Sequence, residues 1–571
     1  MPYDELRADL TTLPNNTAVK SDRVANRANF AGVCPATTTT VKGKTTTTIL
    51  NLQKRDVIAI LANDLLSNPG AGVIVAQPAA ANQHVGGPLN ASGGSLVYNS
   101  RNTAIPVSVI DGNALGGHAG PLHDPTAMLL VDARDVEPVN AGDRACSNTN
   151  AGLGVGNARC RIKLKTDRKV EPLVIRANAN DCVQVTVYNR LPALAPDLPT
   201  LGNLIGAVKR DRNGLQGSIP FDNNLIRPSS YVGIAPQLVA VDVREQLGLN
   251  VGVNVTQTVT PVDATGKSGK ETFTWYMGDL THTPNADGSV NLAATGVEFG
   301  GSGLAPADRV KQGQKSLVGG LVVAPQGATV TEDANSRAQA TVTANGKSFR
   351  DFMLVMTKHV SMYYGDGAAV EHMNGEGVGI PEDSQEASGM ALNYGIEPLW
   401  FRLGIAPNAP FGGAGCGGGA GCYGSVDNAE AAYSNSLTGG QDPVTPIFTA
   451  KAGQEVRLHS AVPHGTSRGT TLAIHGHVWQ RDPYVCAGES RNGLTGACNM
   501  TGVGSRSIGD NPMGFAQGAQ ESNTPLSHFT YRLPSAGGGN GVTGDYLFRD
   551  MGSFGNASGL WGLLRVDPAA P

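Results

Sequence analysis

Hydrophobic residues along this chain recur at every second position far more often than at helical spacing. Residues 182–189 read CVQVTVYN, with valine at alternate positions, which predicts a half-buried strand. Residues 238–243 (LVAVDV), 317–323 and 352–356 are short continuous apolar runs, the pattern of strands buried on both faces. Long amphipathic segments are scarce. The best helical candidate is 57–66, VIAILANDLL, ahead of Pro69 and Gly70, and its β-branched start reads equally as a strand. Many short strands punctuated by Gly and Pro predict sandwiches or barrels.

A repeat runs through this pattern. PLVI at 172–175 leads through Asn180 and Asp181 into VQV at 183–185; PIFT at 446–449 leads through Gly453 and Gln454 into VRL at 456–458. Each is followed far downstream by an aromatic strand and a Gly-rich closing strand, first 273–279 with 317–323, then 546–550 with 560–566. One β-sandwich is therefore used twice, in keeping with the layer rules for all-β chains. Divisions are expected at 1–165, 166–326 and 327–571. The first carries no copy of the repeat. Within it, the Thr-rich stretch 37–48, interrupted by Lys42, Gly43 and Lys44, reads as a solvated edge strand or linker. Segments 412–424 and 537–544 are Gly-rich loops or tight turns.

Composition narrows the function classes. The 43 Lys and Arg against 47 Asp and Glu give a net charge of −4, without the clustered basic excess of a nucleic-acid surface. Gly numbers 75 of 571 residues and charged residues are 16%, which suits a loop-rich extracellular β protein. No apolar run is long enough to span a membrane. Residues 1–5 are polar and no apolar signal segment follows, so a mature or partial chain is expected. The eight cysteines, at 34, 146, 160, 182, 416, 422, 486 and 498, form no CxxC pair. They read as a disulfide framework of open connectivity and place the chain in an oxidising, extracytoplasmic compartment.

The C-terminal region carries a family frame. Tyr546, Leu547, Phe548, Arg549, Asp550 and Met551, followed by Gly555, Gly559, Leu560, Trp561 and Gly562, resemble the closing motif of multicopper oxidases, HCHxxxHxxxGM/L. Gly559 and Leu560 match; Arg549, Asp550, Met551 and Gly555 stand at the His, Cys, His and His positions. FTWYMGD at 273–279 resembles the family's WYHSH, with Met277 and Asp279 at the two His positions. Ala235 and Gln237 stand at the positions of an IHWH-like motif. IHGHVW at 474–479 resembles the tail of HPxHxHGH, with Thr470 and Ala473 at the first two ligand positions and His475 surviving. His477 matches a His that does not bind copper in the family. The resemblance covers about residues 165–571 and is nearest to the large bacterial, manganese-oxidising type. It implies an all-β fold of tandem cupredoxin-like Greek-key β-sandwiches from which the copper ligands are lost.

A blue-copper site needs a thiolate and two imidazoles, and the family's trinuclear centre needs four HxH pairs. This chain has 11 His, of which only His475 and His477 form such a pair. Those two, with His459 and His464, are the candidates for a residual mononuclear site, because residues two apart on a strand share a face. Inherited packing is the competing reading. His359, Met362, His372 and Met373 offer soft donors, or ordinary core filling. No nucleophile elbow, P-loop or HExxH motif occurs. In the family, the positions of Met277 and Asp279 face those of Arg549 and Met551 across a domain joint. An Asp279–Arg549 ion pair is therefore expected there. The expected role is a structural or assembly scaffold without cofactor or catalytic residues, which self-associates or joins a larger extracellular assembly. The alternative is a subunit or fragment of a larger multicopper oxidase whose copper lies outside this chain.

Overall fold

A computed structural model describes residues 33–41, 44–67, 89–90, 92–110, 113–146, 156–198, 227–252, 254–284, 286, 290–370, 389–407, 426–465, 469–480, 516–551 and 558–569. The chain forms tandem cupredoxin-like Greek-key β-sandwiches, as the repeat predicts. Cys182–Asn189 is a strand whose valines are buried and whose Gln184, Thr186 and Tyr188 are half-buried. It lies between Leu52–Leu61, to which it runs parallel, and Gly269–Tyr276, to which it runs antiparallel; Met128–Asp132 completes this sheet. The facing sheet holds Leu173–Asn178, Gly319–Ala324, Gly300–Pro306 and Ile234–Ala235. Between the two lies a core that includes Val183, Val185, Phe273, Trp275, Leu304 and Leu321.

The second sandwich repeats the plan. One sheet holds Thr329–Asp333, Ser336–Ala344, Lys347–Val360, Val456–His464 and His528–Leu533; the other holds Ile447–Lys451, Trp561–Asp567, Gly544–Asp550, Thr470–Ile474 and Ala519–Asn523. In both copies the first strand of the repeat pairs parallel with the closing strand, Leu173 opposite Gly319 and Ile447 opposite Leu563. In both, a left-handed residue makes the tight turn into the alternating strand, Asn180 at φ 72° and Gly453 at φ 80°.

Residues 57–66, a helical candidate whose start reads equally as a strand, are the end of the strand Leu52–Leu61 and a one-turn helix, Ala62–Leu65. Val57, Ala59 and Leu61 face the first core, while Ile58 and Ile60 face a second core shared with Met353, Val355, Tyr364 and Trp400. Burial on both faces removes the period-2 signal. Leu52–Leu61 and Met128–Asp132, both ahead of residue 165, belong to the sheet of Cys182–Asn189. One expectation is corrected: residues 238–243 are not a strand. Leu238 has φ 65° and is 49% exposed. Asp242 accepts the backbone N–H of Arg244 at 3.0 Å and pairs with its guanidinium at 2.6 Å. This local side-chain bonding outcompetes the ladder.

Residues 317–323 and 352–356 do lie in or against buried strands. The Thr-rich stretch is a two-stranded ribbon, Ala36–Val41 with Lys44–Ile49, in which Thr37, Thr39, Thr40 and Thr45 to Thr48 are exposed. Disulfides join Cys34 to Cys182 and Cys146 to Cys160; the other four cysteines lie outside the described residues. No described helix is long and apolar enough to cross a membrane.

Candidate functional site

Gly544–Asp550 is a central strand, antiparallel to both Thr470–Ile474 and Trp561–Asp567. Side chains alternate across it, so Arg549 and Asp550 point to opposite faces. Asp550 is 2% exposed and its carboxylate accepts the backbone N–H of Thr471 at 2.8 Å. Its own N–H donates to Leu560 at 2.9 Å. Arg549 reaches outward, where its Nε donates to His475 Nε2 at 3.2 Å and its Nη1 to the Tyr433 hydroxyl at 3.4 Å. Met551 is 47% exposed. Gly555 lies outside the described residues.

The matched residues of the motif have clear packing roles. Gly559 has φ 107°, and a Cβ there would come within 2.8 Å of the Glu397 backbone nitrogen. Leu560 is buried in the core of the second sandwich, with Phe448, Phe548 and Leu564. Trp561 is buried and its indole N–H donates to the Glu397 carbonyl at 2.8 Å. Backbone approach at Gly559 and core volume at Leu560 and Trp561 constrain these positions.

The remaining ligand-position residues are dispersed. Met277 is fully buried in the first core. Asp279 is exposed on the strand Gly278–Pro284 and its carboxylate accepts the N–H of Leu280 at 2.9 Å. It forms no ion pair with Arg549, whose partners are His475 and Tyr433. Ala235, Thr470 and Ala473 are buried, and Gln237 donates its amide to the Leu526 carbonyl at 2.9 Å.

The four candidate histidines occupy separate environments. The strand that would have aligned His475 with His477 ends at Ile474, and Gly476 turns the chain at φ 72°. His475 is exposed, and partial burial with the neighbouring Arg549 cation lowers its pKa. His477 is buried against Tyr546. Its Nε2 accepts the Gly537 N–H at 3.0 Å and its Nδ1 donates to the His475 carbonyl at 3.1 Å. His459 Nδ1 accepts the Gly301 N–H at 3.1 Å, and its Nε2 donates to Asp351 at 2.9 Å. His464 is completely enclosed, packed on Gly313, and burial with the nearby Arg309 cation lowers its pKa to about 3. Of the soft-donor candidates, Met362 and His359 are buried, while His372 and Met373 lie outside the described residues.

This set does not fit a copper ion. Arg549 brings a permanent guanidinium against His475, and the Asp550 carboxylate is taken by the Thr471 N–H. No group of three or more His, Cys, Asp or Glu among the described residues is placed to hold a metal.

What the sequence reading missed is the joint between the sandwiches. Arg176, in Leu173–Asn178, forms a buried ion pair with Asp351 of Lys347–Val360. It also donates to the carbonyls of Arg337 at 3.1 Å and Ala338 at 3.2 Å. Asp351 completes a chain Arg176–Asp351–His459. Burial alone would raise its carboxyl, but His459 and Arg176 overcome this and hold it well below the usual carboxylate range. Nearby, Arg337 clasps Asp135 with two bonds of 2.6 and 2.8 Å. The available signal was a charge inside an apolar run, LVIRAN at 173–178 and DFMLVM at 351–356, because such a residue must find a buried partner.

No family model matches the chain, and no curated protein matches it. Among solved structures it is similar to a copper nitrite reductase from Nitrosomonas europaea, at 14% identity and TM-score 0.31, over 72% of this chain and 90% of that one. It is also similar to a multicopper oxidase, at 10% identity and TM-score 0.32, over 93% of each chain. A third is the blue copper oxidase from Nitrosomonas europaea, at 10% identity and TM-score 0.29, over 70% of this chain and 77% of that one. No residue role follows from likeness at this level.

Proposed function

We propose that this chain is an extracytoplasmic cupredoxin-fold scaffold that acts through its surface, by self-association or within a larger assembly, and not through a copper centre of its own. The observation that supports this reading is the division of labour in the C-terminal motif. Gly559, Leu560 and Trp561 serve packing. Arg549 and Asp550, at ligand positions, are committed to His475, Tyr433 and the Thr471 backbone. Disulfides fit an oxidising compartment. Copper loading of the full chain, followed by metal analysis and visible spectroscopy, tests the reading. The expected result is no stoichiometric copper after desalting and no intense copper–thiolate band. Such a band would instead favour an oxidase subunit.

A further inference from the structure

The ribbon of Ala36–Val41 and Lys44–Ile49 stands apart from both sandwiches. Its register runs from Ala36 opposite Ile49 to Val41 opposite Lys44, and among the described residues neither strand pairs with any other. Its Thr37, Thr39, Thr40 and Thr45 to Thr48 are exposed. The base is fixed. Cys34 is disulfide-bonded to Cys182, Leu50 N–H donates to the Pro35 carbonyl at 2.9 Å, and the second strand runs on into Leu52–Leu61. A largely exposed two-stranded ribbon is marginal in water on its own, since ordering each residue costs about 1–2 kcal/mol, and pairing along an open edge would stabilise it.

The chemistry of its two edges points to one occupant. Residues Val41 and Lys44 flank a two-residue loop, so their N–H and C=O groups pair inward. The groups of Ala36, Thr38 and Thr40 then face outward along one edge, and those of Thr45, Thr47 and Ile49 along the other. The common blocks to edge pairing are proline, lysine, bulges or inward charges. The second strand begins with Lys44, whereas Ala36–Val41 contains none of these devices. Four successive threonines are β-branched and suited to strands. They provide no side-chain pocket that would select a different sequence. An identical strand, by contrast, reproduces the contact already present within the ribbon, where the Thr40 and Thr45 hydroxyls lie 3.1 Å apart.

We propose that the edge Ala36–Val41 pairs antiparallel with the same edge of a second copy, making a four-stranded sheet about a two-fold axis at Thr38. Ala36 then lies opposite the partner's Thr40, and Thr38 exchanges both backbone bonds with the partner's Thr38. Such an interface is isologous and closes at two copies. A ladder this short buries less than the roughly 1,200 Å² of a standard interface, so the dimer is weak and depends on concentration. The proposal rests on the self-association part of the function proposed above and identifies the surface responsible.

Sedimentation equilibrium of the full-length chain over a wide concentration range tests it. The expected result is a monomer–dimer equilibrium in the unmodified chain. Thr38→Pro removes an outward N–H and leaves the ribbon's own ladder intact. Thr38→Lys sets two ammonium groups opposite each other on the axis. Each variant is expected to weaken dimerisation at least tenfold, while Thr47→Pro, on the other edge, leaves it unchanged. Undiminished dimerisation of both Thr38 variants overturns the arm and leaves self-association standing. An equal loss in Thr47→Pro overturns the choice of edge. A strictly monomeric unmodified chain overturns both the arm and the self-association.

Discussion

Arg176 and Arg549 sit on β-strands of the two sandwiches but meet opposite fates. Arg176 lies at the joint, almost wholly enclosed, with Asp351 and the Arg337, Ala338 and Asp351 carbonyls around its guanidinium. Arg549 lies on Gly544–Asp550, in the segment that resembles the multicopper oxidase motif. Its partners are an imidazole at 3.2 Å and a phenol at 3.4 Å, and its guanidinium sits 5.8 Å from the Tyr433 ring centroid. Each nitrogen of the Arg176 guanidinium meets an acceptor, whereas Arg549 is left to weak neutral partners. The charge pair that joins the sandwiches is therefore Arg176 with Asp351, between Leu173–Asn178 of one and Lys347–Val360 of the other.

The comparison is broken most directly by removing one partner at the joint. Arg176→Ala is expected to destabilise the protein by about 3–5 kcal/mol, because Asp351 is left buried without its cation. The measurement is the denaturant midpoint at constant slope. A cost near zero would mean that the joint is held by its apolar core alone.

Changing pH sharpens the contrast further. Asp351 has a folded pKa depressed below its unfolded value of about 3.9. The stability it contributes is therefore fully present above about pH 4 and is lost as pH falls below that value. Unfolding free energies of the unmodified chain and Asp351→Asn should differ most above about pH 4 and converge below it. A gap that stays constant to low pH would show that Asp351 acts by packing and not by charge.

The smallest effect is expected at the motif. Arg549→Ala should change stability by at most about 1 kcal/mol, as for other exposed polar contacts. A cost comparable to that of Arg176→Ala would overturn the distinction drawn between the two sites.

Much of the fold was legible in the sequence because alternation and the repeat are local signals. Valine at alternate positions marked Cys182–Asn189, and the strand–turn–strand copies at 172–185 and 446–458 marked both sandwiches. The place of Leu52–Leu61 was not legible. Its partners are set by a parallel pairing with a distant strand, and its apolar run serves two cores at once. At 238–243 a β-rich composition lost to hydrogen bonds of Asp242 that no periodicity reports. In the candidate site, the residues at the motif's ligand positions could be read, but not their new partners. Arg549 meets His475 and Tyr433, which are distant in sequence, and Asp279 is exposed on a separate two-stranded sheet.

The parallel pairings also set an order in time. The ribbon's strands are joined by two residues, Lys42 and Gly43, so it can close within about 1–10 μs. The first sandwich cannot close until Gly319–Ala324 exists to lie beside Leu173–Asn178. At about 5–20 residues per second of synthesis, that is a delay of tens of seconds. During this interval the ribbon forms only transiently, because its anchor, the Cys34–Cys182 disulfide, also waits for a later part of the chain.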